Sequence, residues 1–226
     1  MIIAIDGPSG AGKSTVAKAI AKELGFSCLD TGAMYRAVAW YALGQGVSLD
    51  DAEALGAIAN NREIGFGHVE GDPVPRRVFS GGVDVTDAIR TAEIDRSVSK
   101  VSAVPAVRSA LVDQQRRIGS EGNFVVEGRD IGTVVFPQAE VKVFLTASAE
   151  ERAHRRVRQN ADRGVGSICY EEVLADIIRR DELDSSRDTA PLRPAADAVL
   201  VDSSSMQIEE VIGSICGLAR ARMNLR

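Results

Sequence analysis

The string Gly7-Pro8-Ser9-Gly10-Ala11-Gly12-Lys13-Ser14 constrains this chain more than any other feature. It follows the apolar run Ile2 to Ile5 with Asp6, and precedes Thr15 and the helix-like segment Val16 to Leu24. A buried strand, a glycine-rich turn and a helix in that order form the context the P-loop pattern needs. Glycines there let backbone N–H groups converge on phosphate oxygens, and the helix start adds its partial positive charge. Lys13 is suited to bridging the terminal phosphates, and Ser14 to holding Mg2+ through its hydroxyl. The alternative, an ordinary glycine-rich turn, does not require a strand before it and a helix after it. Gly7, Pro8, Ser9, Gly10, Ala11, Gly12, Lys13, Ser14 and Thr15 are therefore read as the cradle of a nucleoside triphosphate.

Further apolar runs of strand length recur at Phe26 to Leu29, Phe124 to Val126, Val141 to Leu145 and Ala198 to Val201, mostly with helix-length segments between them. Continuous rather than alternating apolar runs belong to strands covered on both faces, so the spacing predicts an α/β fold with a parallel sheet between helices. The length of 226 residues, 45% apolar, suits one globular domain. Ser148 with Glu151, and Ser204 with Gln207, fit helix-starting capping boxes. After the second, Ile208, Val211, Ile212, Ile215 and Leu218 recur at helical spacing and predict a C-terminal helix on the sheet. Residues 62–86 break the rhythm. Gly65, Gly67, Gly71, Pro73, Pro75, Gly81 and Gly82 surround the short runs Arg77 to Phe79 and Val83 to Val85, which predicts a small antiparallel β insertion.

Lys and Arg number 27 against 32 Asp and Glu, a formal net charge of −5, so phosphate binding must be local rather than a property of the whole surface. No apolar run reaches the roughly 18 residues of a membrane span. Met1 to Ile5 is cut at once by Asp6 and lacks a basic leader, so no signal peptide is expected. Cys28, Cys169 and Cys216 are odd in number and far apart, which suits reduced thiols in a cytoplasm. With only His68 and His154 beside them, no zinc pattern arises. A GTPase switch would carry an Asn-Lys-x-Asp string, and none is present. A motor on nucleic acid would show a basic tract or stacking aromatics, and aromatics are 4% of the chain.

A kinase for a phosphorylated acceptor needs several arginines near the cradle, because donor and acceptor phosphates repel and must be neutralised together. Asp30-Thr31-Gly32-Ala33-Met34-Tyr35-Arg36 and Glu127-Gly128-Arg129-Asp130-Ile131-Gly132-Thr133 each follow a strand, at the carboxyl end where open α/β sheets bind ligands. Arg36 and Arg129 are so placed to grip an acceptor phosphate. Pairing of Arg36 with a neighbouring acid, and of Arg129 with Asp130, stays open as the structural alternative. On the helix starting near Tyr170, the apolar stripe Val173 and Ile177 continues into Arg180, Asp184 and Arg187, which implies a polar ligand or a mutual network. Arg152, Arg155, Arg156, Arg158 and Arg163 crowd a further helix ending at Gly164-Val165-Gly166, the composition of a hinged lid or of a solvated face.

With these segments the chain resembles the bacterial cytidylate kinases of the nucleoside monophosphate kinase group. The resemblance runs through the cradle, Asp30 to Arg36, Gly128 to Pro137, Glu151-Arg152-Ala153-His154-Arg155-Arg156, and Arg180-Asp181 through Ala190-Pro191-Leu192. It implies a P-loop kinase fold with a five-stranded parallel core (1–30, 102–150 and 188–226), a nucleotide-binding part with the β insertion (31–101), a lid (about 151–170) and a helix over 170–187. It also implies that Thr31, Arg36, Ser99, Arg108, Arg129, Asp130, Arg180, Asp184 and Arg187 bind CMP. In that assignment Arg36 and Arg129 hold the phosphate, Ser99, Arg108, Asp130 and Arg187 face the pyrimidine, and Arg180 and Asp184 the sugar. Arg155 joins the ATP set, and Arg156 joins Lys13, Arg36 and Arg129 as catalytic.

The reaction so implied is ATP + CMP giving ADP + CDP, with dCMP also accepted, and Mg2+ held through Ser14. An ionised phosphate oxygen needs no strong base, so catalysis falls to alignment and charge neutralisation. A carboxylate such as Asp130 accepts from the exocyclic amine that cytosine has and uracil lacks. A monomer acting on small nucleotides, without nucleic-acid or membrane partners, is expected. The rival readings are a kinase for another small acceptor (UMP, AMP or a shikimate-like molecule) and a non-catalytic nucleotide switch.

Overall fold

A computed structural model describes residues 1–224; the last two positions of the 188–226 core stretch lie outside them. Within the described residues the chain divides into two compact units, residues 1–29 with 122–226, and residues 30–121. The expected core stretch 102–150 is thus split at residue 121, because the helix over 105–119 packs on helices of the second unit.

The first unit is built on strands β1 (Ile2–Asp6), β2 (Ser27–Asp30), β6 (Phe124–Gly128), β7 (Val141–Thr146) and β8 (Val199–Asp202), in the order β2-β6-β1-β7-β8. The β1 pairings with β6 and β7 are parallel, as is β7 with β8. Every residue of β6 is buried, as are Ile3 to Asp6 of β1, which is why these strands read as unbroken apolar runs. Strand β1 is the switch point of the order: the later strand β6 lies on one side of it and β7 on the other. The register Asp6↔Gly128 makes β1 and β6 end level, so the loops leaving them start side by side.

Helices α1 (Lys13–Leu24) and α8 (Ile208–Met223) pack on each other and on this sheet. The C-terminal helix forms as the spacing predicts, but it buries Val211, Ile215, Cys216 and Ala219, while Ile208 lies outside the stripe. Its cap also differs. The box is Gln207 with Glu210, because Ser204 is engaged elsewhere: its hydroxyl donates to Asp202 Oδ1 at 2.6 Å and accepts from the Ser148 amide at 2.9 Å. Ser148 caps α6 (Ala149–Arg163) through the Glu151 amide, as expected. Helix α7 (Tyr170–Ser186) packs on α6 through Ala153, Val173 and Ile177.

The second unit holds α2 (Thr31–Gly44), α3 (Ala52–Asn61), α4 (Ala92–Ala103) and α5 (Pro105–Gly119), with the antiparallel sheet β3 (Ile64–Gly67), β4 (Arg77–Ser80) and β5 (Val83–Asp84). The expected β insertion is this sheet. Gln114, buried on α5, ties it down: its side-chain oxygen accepts from the Ile64 amide at 3.0 Å, and its nitrogen donates to the carbonyls of Ala59 and Arg62 at 3.2 and 3.0 Å. One side chain thereby satisfies the end of α3 and the start of β3. Gln114→Leu should lower unfolding free energy by about 1–3 kcal/mol, since it leaves buried backbone groups without partners. Urea denaturation followed by circular dichroism measures this.

Candidate active site

The turn after β1 requires glycine for steric reasons. At Gly7, with φ +149°, a Cβ would run into the carbonyl oxygen of Leu145, and at Gly10, with φ +81°, it would press on the Cβ of Arg152 at 3.1 Å. Gly12, which precedes α1, gives its first turn no side-chain cap, so the N–H groups there remain for an anion. Lys13 is only 6% exposed, and its Nζ donates to the Pro8 carbonyl at 2.7 Å. Burial and then the Arg129 charge hold its pKa well below the usual lysine range, against the opposing charges of Glu127, Asp6 and Asp184. An arriving phosphate would reverse that imbalance.

Two acids given no role in the sequence reading complete this end of the sheet. Glu127, buried on β6, accepts from the Ser14 hydroxyl at 2.8 Å. A hydroxyl and a carboxylate in contact are hard oxygen donors of the kind Mg2+ takes, so Ser14 and Glu127 fit that ion. Asp6, 4% exposed, receives the amides of Ile131 and Gly132 at 2.7 Å on its two oxygens. It thereby fixes the wide helical turn Ile131–Val135 that follows Arg129 and Asp130. Asp130 itself is buried, with its carbonyl accepting from the Val134 and Val135 amides. Burial lifts the Asp6 pKa to about 6, in spite of those two amides.

Arg129 meets a residue of the α7 stripe. Its Nε donates to Asp184 Oδ2 at 2.9 Å, and Arg187 NH1 lies 3.9 Å from the other oxygen. Burial alone would raise the Asp184 carboxyl; the Arg129, Arg187 and Arg180 charges override it and hold it below the usual carboxylate range. The first unit therefore gathers Lys13, Arg129, Arg180, Asp184 and Arg187 into one electrostatic group.

The arginines of α6 do not act alike. Arg155 reaches the loop that follows β8, donating to the Ser203 carbonyl at 2.7 Å, and its NH1 lies 3.9 Å from where a Gly12 Cβ would stand. Arg156 NH2 is 3.5 Å from Ser9 Oγ. Arg152 is buried beneath the cradle, while Arg158 and Arg163 are exposed.

In the second unit, Asp30 caps α2 by accepting from the Ala33 amide at 3.0 Å, and Arg90 donates to its other oxygen at 3.2 Å. Burial raises the Asp30 pKa, but the charges of Arg90 and Arg36 outweigh it and bring it down. Thr31, buried, opens the helix. Arg36 does pair with a neighbouring acid: Nε and NH2 donate to Asp95 Oδ1 at 3.2 and 3.0 Å. Arg108, 4% exposed, lies 5.6 Å over the Tyr35 ring and donates to the Ser102 carbonyl, while the Ser99 carbonyl accepts from the Ser102 hydroxyl. Arg90, Glu127 and Asp6 were missed because each acts through a partner far away in the chain. The apolar neighbours of Glu127 on a predicted strand were the one available signal for a buried acid.

Among the described residues, no cluster of His, Cys, Asp and Glu forms a metal cage, and no helix is long and apolar enough to cross a membrane. A glycine-rich loop and buried lysine at the switch point of a parallel sheet, with arginines on the following elements, define a P-loop kinase fold. A solved, uncharacterized protein from Eubacterium ventriosum shares the fold, with TM-score 0.51 at 11% identity over 96% of each chain. More specifically, the profile of the cytidylate kinase family matches residues 3–221, and the chain belongs to that family. It is 50% identical over 222 residues to a cytidylate kinase of Saccharophagus degradans, covering 98% of both chains. It is equally identical over 215 residues to one from Carboxydothermus hydrogenoformans, covering 95% of both. A bifunctional pantoate ligase/cytidylate kinase from a Synechococcus species matches at 51% over 219 residues, 97% of this chain and 40% of that one.

Because Asp6 ionises in the folded chain only near pH 6, against 3.8 when exposed, its contribution is full below pH 3.8 and falls as pH rises through 6. The stability of the protein minus that of Asp6→Asn should therefore shrink between pH 4 and about 6 and flatten above 7. Denaturant titrations across that range test it.

Proposed function

We propose that this chain transfers the γ-phosphoryl group of ATP to CMP, and to dCMP, giving ADP and the cytidine diphosphate. The observation that carries the reading is the full-length match to the cytidylate kinase family together with a sterically enforced cradle around Lys13. The cradle amides and Lys13 bind the donor phosphates, and Arg155 lies along the same loop. Ser14 and Glu127 would hold Mg2+, which when bound shields phosphate charge. The acceptor phosphate is given to Arg36 and Arg129, and Arg156 to the transferring group. Since the attacking phosphate oxygen is already ionised near neutral pH, no side chain need remove a proton.

Thr31 joins Arg36 on the first turns of α2. Ser99, Arg108, Asp130 and Arg187 are assigned to the base, Arg180 and Asp184 to the sugar. Burial of Asp130 supports the base assignment: a buried carboxylate that accepts from the cytosine amine is left facing an oxygen when uracil is offered. Rejection by an unsatisfied polar contact is stronger than rejection by shape. The protein is proposed to work as a cytoplasmic monomer.

Turnover coupled to ADP release, with CMP, dCMP, UMP and AMP in turn, tests the reading; CMP and dCMP should exceed UMP and AMP in kcat/KM by at least about 100-fold. Equal use of UMP or AMP would mean another acceptor, and slow hydrolysis without transfer a switch. Lys13→Ala should cut kcat at least about 100-fold without unfolding. Arg36→Ala should raise the CMP KM or lower kcat and leave ATP binding intact; selective loss of ATP affinity would contradict its assignment.

A further inference from the structure

Arg152 stands apart from the other arginines of α6. It is 4% exposed and uses four of its donors on three different segments. Nε donates to the Ala147 carbonyl at 2.9 Å, just before α6. NH1 donates to the Ser9 carbonyl, inside the cradle, at 3.1 Å. NH1 and NH2 together grip Asp181 on α7, at 3.1 and 2.7 Å to its two oxygens. The planar fork allows this: two parallel bonds to a carboxylate leave Nε and an edge hydrogen for backbone oxygens, which an ammonium group cannot reproduce. A Cβ at Gly10 would stand 3.1 Å from the Arg152 Cβ, so the cradle runs close against the root of α6.

Asp181 follows Arg180 and sits one turn beyond Ile177, where the apolar seam between α6 and α7 ends. Burying an ion pair is a poor way to add stability, because desolvation offsets the attraction. Apolar residues would have extended the seam at lower cost. What a three-way guanidinium does supply is a fixed register among the segments it joins.

We propose that Arg152 and Asp181 form a positioning pair that couples the triphosphate cradle to α7, so that filling the cradle strengthens binding at Arg180, Asp184 and Arg187. A shift of the Ser9 carbonyl on phosphate binding is passed through one rigid fork to the helix that carries Arg180 and Asp184 and ends just before Arg187. The inference rests on the proposed kinase reading for the identity of the second ligand, CMP. The coupling itself is independent of phosphoryl transfer.

Two measurements on the full-length protein test it. In the first, affinity for Mg2+ with a non-hydrolysable ATP analogue is measured by calorimetry with and without saturating CMP. The unaltered protein should show a coupling factor in the usual range of about 5–150-fold, and Asp181→Asn and Arg152→Lys should reduce it below about 2-fold while melting cooperatively. In the second, amide exchange over residues 177–184 is followed on adding the analogue alone. Exchange should slow in the unaltered protein and stay unchanged in Asp181→Asn. No coupling in an unaltered protein that binds CMP, full coupling in both variants, or slowing confined to the cradle would overturn the proposal. Should both variants fail to fold, the exchange measurement on the unaltered protein still decides. A protein that ignores CMP yet slows at 177–184 would refute the kinase reading and keep the pair.

Discussion

Cationic side chains held against resident oxygens set the terms for the rest of this protein. A buried charge without compensation costs several kcal/mol, so each of these side chains has a resident oxygen or carboxylate. Arg129 has Asp184, Arg36 has Asp95, Arg152 has Asp181 and Arg155 has Glu151, while Lys13 leans on the Pro8 carbonyl. This explains how a chain of net charge −5 can be built to bind anions. Its acids are placed where its arginines work. A phosphate arriving at these side chains would exchange partners with resident carboxylates instead of meeting bare cations.

The sheet supplies the place for this crowding. Because β1 is flanked by a strand from later in the chain on each side, its carboxyl end opens a gap between diverging connections. The level ends of β1 and β6 set Gly7 and Arg129 on neighbouring loops, and the Asp6 carboxylate bridges from one to the other. That bridge carries a cost of its own, visible as the raised Asp6 pKa. Two short hydrogen bonds to backbone amides are what the fold obtains in return, and they hold the segment bearing Arg129 and Asp130.

Much of the scaffold was legible in the sequence. Strands buried on both faces announce themselves as unbroken apolar runs, and glycine positions mark the turns at residues 65–82 and at the cradle. The C-terminal cap was read one turn early, since Ser204 and Gln207 satisfy the pattern as well as Gln207 and Glu210 do. Only the three-dimensional grip of Asp202 on Ser204 separates the two. Counter-ions were hidden for a related reason. Asp95 lies 59 residues from Arg36 and Asp184 lies 55 from Arg129, distances over which no periodicity links two side chains. Glu127 and Asp6 stood in view as polar residues at strand ends, yet their partners, a hydroxyl and two amides, come from folding alone.

The arginines of α6 show how far composition falls short of role. Helical geometry puts residues three, four and eleven positions apart on about one face, so Arg152, Arg155, Arg156 and Arg163 could in principle all serve the cradle. Yet eleven residues span about 16 Å along the axis, and the apolar seam of Ala153 and Val157 against Val173 and Ile177 holds down the N-terminal part of the helix. Arg163 lies past that seam and is exposed; Arg158 points off the face. Of the remaining three, Arg152 gives four hydrogen bonds to protein oxygens, which leaves Arg155 and Arg156 beside the loop. A cluster of five like charges thus resolves into one structural fork, two side chains at the cradle and two in solvent, and it is the packing of α6 on α7 that makes the division.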